Sequence, residues 1–457
     1  MSIKLFKIFI IIVFIAGSNT VFAQKNSDIL QAWDHIANND LMAAKKSFEK
    51  AVNSDEKHYA HLGLSYVGAA ISNNKLRLEN YLKFITTAPN PDPYLIALWT
   101  GTGMIDYSDP DPYLEMLEEF TTNRDGTLRI LAYETLGSYY ESINKMSKAK
   151  EYFDKMGSIE TWQVIGEFEN ISESGFNVDH GPLAHPEKDF DFTNKRGVDV
   201  KWFELTQARP DKWVDFAYHF YIDNSVIYAQ NWVNSPTEQE VQIRIGTSGS
   251  LKFWVNDKLM FQESEERNNG LDTYIFTAKL NKGNNRVLLQ IGASEISMSN
   301  FLVRITDMKG NNIQGLTFSN QMKTYPSDYA YESRTIEDPT EIYFKQKLEE
   351  NNNDLQHLLA LSQHYLKNDK VYPAKKILKV AKNKYPDCSY VTFQLIETYY
   401  RDDNRTGVST YLEELKDKDP NGIQSLGLLF EEAIDLEDYK EAERLLEEKK
   451  KIQGTTA

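Results

Sequence analysis

The chain has 457 residues, of which 41% are hydrophobic and 26% are charged, as in a folded protein of about two to four domains. Its formal net charge of -16 excludes a general nucleic-acid or anionic-membrane binder, because such proteins need a basic face. We therefore expect no nucleic-acid partner.

The first 23 residues predict a secretory signal peptide. Lys4 and Lys7 give a positive start, and the apolar run at 8–16 is too short to span a bilayer. Residues 21–23, Val-Phe-Ala, place small residues at the two positions that signal peptidases select. We expect cleavage before Gln24, with an uncleaved anchor as the alternative. The mature chain has no other long apolar run, so we expect no membrane span in it.

Cys388 is the only cysteine, so no intrachain disulfide can form. A large exported chain without disulfides is typical of a bacterial periplasm, where size supplies the core. We therefore expect an exported protein of a Gram-negative bacterium, located in the periplasm or associated with the cell surface.

Residues 24–158 predict a helical arm of about three or four antiparallel pairs. Apolar and small residues recur at helical spacing, as at Ala44, Phe48 and Ala51. Prolines between positions 89 and 112 interrupt the pattern, so we expect irregular connections there. Plain antiparallel helices without a repeat are the alternative.

Residues 159–325 predict an antiparallel β-sandwich interrupted by a long polar loop at 167–196. In the stretch 241–257, alternate apolar residues from Val241 to Ile245 and from Leu251 to Val255 indicate two strands. We interpret Thr-Ser-Gly at 247–249 as the turn between them. Ten segments share such patterns: 162–166, 198–204, 213–221, 226–234, 240–246, 251–256, 259–262, 271–280, 286–291 and 301–306.

Two turns of this region carry a family resemblance. Residues 254–257, Trp-Val-Asn-Asp, and 280–285, Leu-Asn-Lys-Gly-Asn-Asn, resemble turns of the jelly-roll, galactose-binding-like modules of bacterial surface and carbohydrate-active proteins. The resemblance implies a sandwich that could bind a saccharide. The residue types also have a simpler explanation, since Asn, Asp and Gly accept positive φ and cap turns.

Residues 326–350 predict a linker and a first helix, and 351–457 predict three helix pairs at about 355–388, 389–422 and 423–456. The pairs repeat with a period of 34 residues. Apolar, small, tyrosine and proline residues fill matching positions: Leu358, Leu361, Ser362, Tyr365, Ala374, Leu378, Ala381 and Pro386, then Leu395, Tyr399, Leu412 and Pro420, then Leu429, Ala433, Ala442 and Leu446. This region resembles the tetratricopeptide repeat (TPR) family, and the N-terminal arm matches it in part. The resemblance implies concave surfaces for peptides or partner domains.

The predicted fold class is therefore multidomain α + β, with TPR-like helical repeats flanking an antiparallel β-sandwich. This combination resembles the leading region of exported Bacteroidota proteins that continue into a transglutaminase-like core. Such a core needs a cysteine at a helix start with His and Asp partners. Cys388 instead follows Pro386 at the end of a repeat, so we expect the catalytic core to be absent.

No other stretch predicts an enzyme, a cofactor or a metal site. The loop at 179–189 contains His180 and His185 among carboxylates, but without a conventional ligand spacing. Glu263, Glu265 and Asp272 lie near one hairpin, where acidic residues are usual on a solvated edge. We interpret both groups as polar surface.

Exposed aromatic residues beside a cation would suit a saccharide or a peptide. The candidate binding residues are Arg244, Lys252, Trp254, Trp232 and Tyr400. Each tryptophan could instead pack in the core of the sandwich. The tyrosines of the arms could instead pack in the core of the helical repeats.

We interpret the chain as an exported, non-enzymatic scaffold whose arms bind a protein or peptide around a rigid sandwich. The alternatives are a carbohydrate-binding protein and a non-catalytic relative of transglutaminase-like proteins. Sugar binding requires exposed aromatic residues on the sandwich, whereas a scaffold requires buried tryptophans and a tyrosine-lined groove in an arm.

Overall fold

The structure is a computed structural model that describes residues 27–205, 209–294, 296, 298–352 and 354–453. These residues form fifteen α-helices and twelve β-strands, with the strands between two groups of helices. No helix in the described part of the chain is long and apolar enough to cross a membrane. The predicted signal peptide at 1–23 lies outside the described residues.

Eight helices precede the sheet and form the N-terminal arm. They are α1 Ser27–Ala37, α2 Leu41–Ala51, α3 Lys57–Ala70, α4 Asn74–Thr87, α5 Asp92–Leu98, α6 Asp111–Asn123, α7 Gly126–Ser142 and α8 Met146–Lys155. Pro93 and Pro112 lie in the first turns of α5 and α6, where a missing backbone N–H costs nothing. The sequence predicts about three or four helix pairs in this stretch, and the structure has eight helices there, of which α5 is the shortest.

Seven helices follow the sheet and form the C-terminal arm. They are α9 Pro339–Glu350, α10 Leu355–Lys367, α11 Val371–Lys384, α12 Ser389–Arg401, α13 Arg405–Lys418, α14 Ile423–Asp435 and α15 Tyr439–Gln453. The predicted positions of three helix pairs are confirmed, since α10, α12 and α14 each begin such a pair.

The same type of turn connects the two helices in each of six pairs. Two residues after the first helix ends, the chain has a residue with φ between 43° and 63°, and the second helix begins two residues later; these turn residues are Asn39, Ser72, Asn144, Asp369, Asp403 and Glu437. In the turn after α10, the N–H of Lys370 donates to the Tyr365 carbonyl at 2.8 Å and that of Asp369 to the Leu366 carbonyl at 3.1 Å. This Schellman arrangement satisfies the last carbonyls of the helix. In the C-terminal arm it recurs every 34 residues.

The strands form one large, curled antiparallel sheet of ten strands and a separate pair. The sheet contains β1 Trp162–Glu169, β4 Phe203–Leu205, β5 Val214–Asp215, β6 Ser225–Ser235, β7 Gln239–Val255, β8 Lys258–Asn268, β9 Tyr274–Leu280, β10 Gly283–Ala293, β11 Asn300–Thr306 and β12 Thr317–Ser319. The separate pair is β2 Phe192–Thr193 and β3 Asp199–Val200. The main order is β4-β1-β6-β10-β7-β11-β5, with β8 and β9 on the other side of β7 and β12 beside β6.

The predicted turn at 247–249 is wrong, because β7 runs unbroken through these residues. Its first part pairs with β9 and β11, and its second part pairs with β8 and β10. Gly249, at φ +126°, adjoins a register shift against β8 that lets the strand change partners. The real turn follows at Asn256 and Asp257, whose φ angles of 48° and 66° confirm the expectation of positive φ there.

Both faces of β7 are covered. Val241, Ile243, Ile245, Leu251 and Phe253 lie in one apolar core, so the predicted face is confirmed. The opposite face is covered near its second half by the polar segment between β1 and β4 and near its first half by the N-terminal arm.

The two arms pack against each other directly. One apolar core contains buried residues from both, from Ile29 in α1 to Tyr399 in α12. The Tyr94 hydroxyl lies 2.7 Å from His357 Nε2, and the Tyr66 hydroxyl donates to Gln363 Oε1 at 3.1 Å. The helical segments that flank the sheet in sequence therefore share one core in space.

Candidate functional site

The predicted binding residue Arg244 lies beneath the N-terminal arm. It is on β7 and is 7% exposed. Its Nη1 donates to Asp272 Oδ2 at 3.0 Å and to Thr127 Oγ1, in the first turn of α7, at 3.1 Å. Arg244 therefore joins the arm to the sheet.

Asp272, which the sequence predicts as polar surface, is instead buried and is the centre of this charge network. Arg304 Nη1 on β11 donates to its two carboxylate oxygens at 3.0 and 2.7 Å, and Arg304 Nε donates to the Met156 carbonyl at the end of α8 at 2.9 Å. Burial alone would raise the pKa of Asp272, but Arg304 and Arg244 outweigh this effect and hold the pKa below its usual range. Asp272 is therefore an anion. Its two arginine partners lie on the sheet, and its hydrogen-bond donor Thr127 lies on the N-terminal arm.

The predicted residues Trp232 and Trp254 are both buried. Trp254 belongs to a small apolar cluster with Trp202 and Phe192, contributed by the segment between β1 and β4. The Trp202 indole donates to the His185 carbonyl at 2.9 Å, which fixes the loop over the sheet. This face of the sheet thus has no exposed row of tryptophans among the described residues.

Lys252 anchors the same loop. Its ammonium donates to the Phe176 carbonyl at 2.7 Å and to Asn177 Oδ1 at 3.0 Å. It also lies 4.3 Å from the centre of the Phe176 ring. Burial lowers the pKa of Lys252. These contacts make it part of the structure between sheet and loop.

Tyr400 is exposed and has apolar neighbours at the same edge of the C-terminal arm. Tyr372, Tyr400, Leu436 and Tyr439 are between 66% and 76% exposed. Each lies within three residues of the equivalent turns at 369, 403 and 437. We call these four residues the turn edge. Since the turns repeat with the helix pairs, the four side chains follow one border of the stacked helices.

The helices next to the turn edge are thinly packed. The only buried residue of α13 is Leu415, and α15 buries Ala442 and Leu445 alone, counting the described residues of each helix. A separate small cluster of Leu426, Ala433, Ala442 and Leu445 holds the last pair together. The end of this arm therefore has more apolar surface in solvent than α10, which is buried along nearly its whole length.

A cavity of about 270 Å³ lies between the two arms, and we call it the inter-arm cavity. Helices α3 and α4 and the end of α5 form one side, and α10 and α12 form the other. Its aromatic walls are Tyr66, Tyr81, Trp99 and Tyr390. The sequence could not reveal it, because its walls come from residues more than 300 positions apart.

The charged residues of the inter-arm cavity are three cations and one anion: Arg77, Lys367, Arg401 and Glu397. Arg401 pairs with Glu397 at 2.9 Å. Arg77 donates to the Gly103 carbonyl at 2.8 Å and Lys367 to the Ile96 carbonyl at 2.7 Å. Among the described residues, neither lies within 4.0 Å of a carboxylate oxygen.

Burial lowers the pKa of both cations. The pKa of Lys367 falls to about 8, although Glu134 and Asp338 act to raise it. The pKa of Arg77 also lies below its usual range. Glu134, on α7, accepts a hydrogen bond from the Trp213 indole at 3.1 Å, and burial raises its pKa to about 7. The cavity therefore has positive charge that the surrounding protein compensates only at a distance.

A second cavity, of about 390 Å³, lies between the sheet and both arms. Most of its carboxylates already have side-chain partners: Asp272 has two arginines, Asp92 lies 3.1 Å from Arg124, and Asp338 lies 2.6 Å from His364 Nε2. Among the described residues, no group of three or more His, Cys, Asp and Glu residues is placed to hold a metal ion. Because most of its carboxylates are paired, we interpret this second cavity as part of the interface between the sheet and the arms.

The Cys388 thiol is buried just before α12, with its sulfur 3.6 Å from the Ile36 carbonyl. Burial raises its pKa to about 11, so it is protonated at neutral pH. A protonated, enclosed thiol is a poor nucleophile, and this environment gives Cys388 a packing role between the arms.

Comparison with known proteins adds no family to this description. No protein-family model matches the chain, and no curated protein matches it.

Proposed function

We propose that this chain is an exported, non-enzymatic scaffold that binds a protein or peptide partner through its helical arms. The turn edge is the observation that carries the proposal. Four large apolar side chains lie in solvent along one border of the C-terminal arm, and a soluble surface rarely keeps such a border unless a partner covers it. Tyrosine suits this role because it buries a large area and keeps a polar hydroxyl at the rim.

In this proposal the helix pairs are TPR-like repeats and the sheet is a jelly-roll-like β-sandwich. The 34-residue recurrence of both the pairs and their turns supports the repeats. The sharing of β7 between two groups of strands supports two layers, because sandwich corners are made by strands that change sheets. The Asp272 network keeps the N-terminal arm at a fixed position on the sheet, as a scaffold requires.

Site-specific photocrosslinking in the producing cell tests this proposal. Tyr400 is replaced by a photoreactive phenylalanine, and Tyr107, which is 52% exposed on the N-terminal arm, is replaced in the same way as the control. We expect a discrete adduct from position 400 that the double variant Leu436→Ser/Tyr439→Ser weakens. An adduct from position 107 alone, or none from position 400, would contradict the proposal. Fractionation of the same cells, with and without residues 1–23, tests export to the periplasm or cell surface.

Carbohydrate binding through the sheet domain is the second candidate. A different set of aromatic residues favours it: Tyr218 and Tyr221 are 64% and 65% exposed, and Phe203 is 38% exposed. The Arg196 guanidinium lies 5.5 Å from the centre of the Tyr221 ring. A glycan array with the wild-type chain and Tyr221→Ala tests it, with Tyr107→Ala as the control. Saturable binding that only Tyr221→Ala removes would favour this candidate.

We also propose, as a third candidate, that the chain is a non-catalytic relative of transglutaminase-like proteins. The buried Cys388 supports the non-catalytic part, since its thiol lacks the exposure that an acyl-transfer nucleophile needs. An assay for amide exchange between a glutamine peptide and an amine tests it, because any turnover that Cys388→Ser abolishes would refute it.

A further inference from the structure

The inter-arm cavity differs in its charge from the second cavity, whose charged residues are mostly carboxylates. Of its four charged residues, three are cations and one is an anion, in a chain whose formal net charge is -16. One cation, Arg401, is neutralised by Glu397. The remaining two, Arg77 from α4 and Lys367 from α10, line the cavity from opposite arms, and Lys367 also lines the second cavity.

Each cation donates a hydrogen bond to a backbone carbonyl, one within α5 and one in the segment that follows α5. Arg77 donates to Gly103 and Lys367 donates to Ile96, on either side of Trp99. A carbonyl accepts a hydrogen bond but supplies no charge, so the two positive charges stay uncompensated by any carboxylate within 4.0 Å among the described residues. An anion that entered here would gain from both charges in surroundings that screen them less than water does.

The rest of the cavity determines the shape of the anion. Tyr66, Gln363 and Tyr390 are joined by hydrogen bonds of 3.1 and 3.2 Å, which fixes one wall. Tyr81 and Trp99 add two more aromatic surfaces. Gln394 is 8% exposed, and its side-chain amide has no hydrogen-bond partner among the described residues, so it can serve a ligand oxygen. The volume of about 270 Å³ fits a molecule of about the size of one aromatic amino acid.

We infer that the inter-arm cavity is a binding site for a small aromatic carboxylate, with Arg77 and Lys367 holding the carboxylate and the tyrosine and tryptophan rings holding the aromatic group. Since one cation comes from each arm, the ligand fastens the two arms together. This site is separate from the turn edge, and it does not depend on the proposed scaffold function.

Isothermal titration of the mature chain tests the inference. The probes are phenylacetate, indoleacetate and N-acetyltyrosine, each compared with its neutral amide. We expect at least one carboxylate to bind saturably and about tenfold or more tightly than its amide, as charge-assisted hydrogen bonds imply. If no carboxylate binds more tightly than its amide at up to about 10 mM, the inference is overturned.

Matched variants locate the site. Arg77→Gln is expected to weaken the binding of the carboxylate by about tenfold, whereas Lys75→Gln, an exposed neighbour on the same helix, leaves it within about twofold. Lys367→Gln is expected to weaken binding and Lys367→Arg to retain it. Equal losses from Lys75→Gln and Arg77→Gln would refute the assignment.

The pH dependence of binding gives a second readout that needs no variant at Arg77. The charged groups around Lys367 are Glu134 from α7, Asp338 before α9, and Arg77, Arg401 and Glu397 across the cavity. The preference for carboxylate over amide should fall between about pH 7.5 and pH 9.5 as Lys367 loses its proton, and Lys367→Arg should keep it. A wild-type preference that stays constant over this range contradicts a role for Lys367.

Discussion

Replacement of Asp272 by Asn should detach the N-terminal arm from the sheet. Asp272 accepts three hydrogen bonds from Arg244 and Arg304 and one from Thr127 at 3.2 Å, and its side chain is 1% exposed. Asparagine keeps the shape but removes the negative charge, so two buried guanidiniums lose their only carboxylate partner among the described residues. Removal of one partner from a buried ion pair typically costs about 3–5 kcal/mol.

The measurement is urea unfolding, followed by tryptophan fluorescence and circular dichroism. With a slope of about 3 kcal/mol per molar urea, the unfolding midpoint should fall by about 1 M or more. Asp55→Asn is the control, because Asp55 is exposed on the N-terminal arm. Hydrogen exchange should quicken in α7 and α8, which supply Thr127 and the neighbouring Met156 carbonyl.

The pH dependence of the same variant checks the electrostatic reason. The pKa of Asp272 is lower in the folded chain than its ordinary 3.8, so its stabilising effect is full above that value and is lost as pH falls through the folded pKa. The difference between wild type and Asp272→Asn should therefore shrink in acid. A loss below about 1 kcal/mol at pH 7, or a loss that is unchanged in acid, would refute the assigned charge network.

Three further predictions concern single buried groups. Burial raises the pKa of Glu134 to about 7, so the folded chain keeps a proton that the unfolded chain loses above pH 4.5, and the stability of the wild type falls as the pH rises from 4.5 to 7. In thermal unfolding, Glu134→Gln should therefore be more stable than the wild type at pH 8, by about 3 kcal/mol at most, and equally stable near pH 4.5. Gly137→Ala would place a Cβ 2.5 Å from the Phe153 ring and should lower the unfolding free energy by about 1–3 kcal/mol, whereas Gly270→Ala, with nothing within 4 Å, serves as the control in the same thermal assay. The Cys388 thiol should react with an aromatic disulfide reagent at pH 8 only after unfolding in guanidinium, and a fast reaction in the native chain would contradict its raised pKa and burial.

The helix pairs could be predicted from sequence because their signal is local. Positions such as Leu358, Leu361 and Tyr365 lie on one helix face, and all three are buried in the structure. The turns were harder, since the residue in the left-handed conformation is Asp, Asn, Ser or Glu instead of glycine. Their 34-residue spacing in the C-terminal arm was nevertheless present in the sequence as Asp369, Asp403 and Glu437.

The β7 strand shows where local patterns mislead. Gly246 and Gly249 flank a Thr-Ser pair, which is typical of a turn, yet here they let a strand bend past its neighbours. A Cβ at Gly246 would lie 2.6 Å from the Gly270 carbonyl and from the Trp213 ring, so close packing explains this glycine. Only the partner strands reveal this, and β8 and β9 come later in the chain.

The covering of Arg244 and the formation of the inter-arm cavity could not be predicted, because both depend on distant segments. Arg244 meets Thr127 across 117 positions, and Tyr66 meets Gln363 across 297. Period-two alternation correctly separated the two faces of β7. It could not show that the second face, which carries Arg244 and Trp254, also lies beneath other parts of the chain.

The cations inside the molecule fall into two groups. Those of the first group pair with a carboxylate and stabilise the fold, and those of the second group have no carboxylate partner among the described residues and are available to a ligand. Arg304, Arg286 and Lys212 are all buried, and each lies within 3.1 Å of a carboxylate oxygen. Arg77 and Lys367 have only carbonyl or amide oxygens as hydrogen-bond acceptors among the described residues. An uncompensated cation in a partly buried position lowers stability, and an apolar side chain of similar length would avoid that cost. The positive charges of Arg77 and Lys367 therefore do not stabilise the fold. We explain their presence by the binding of an anion in the inter-arm cavity.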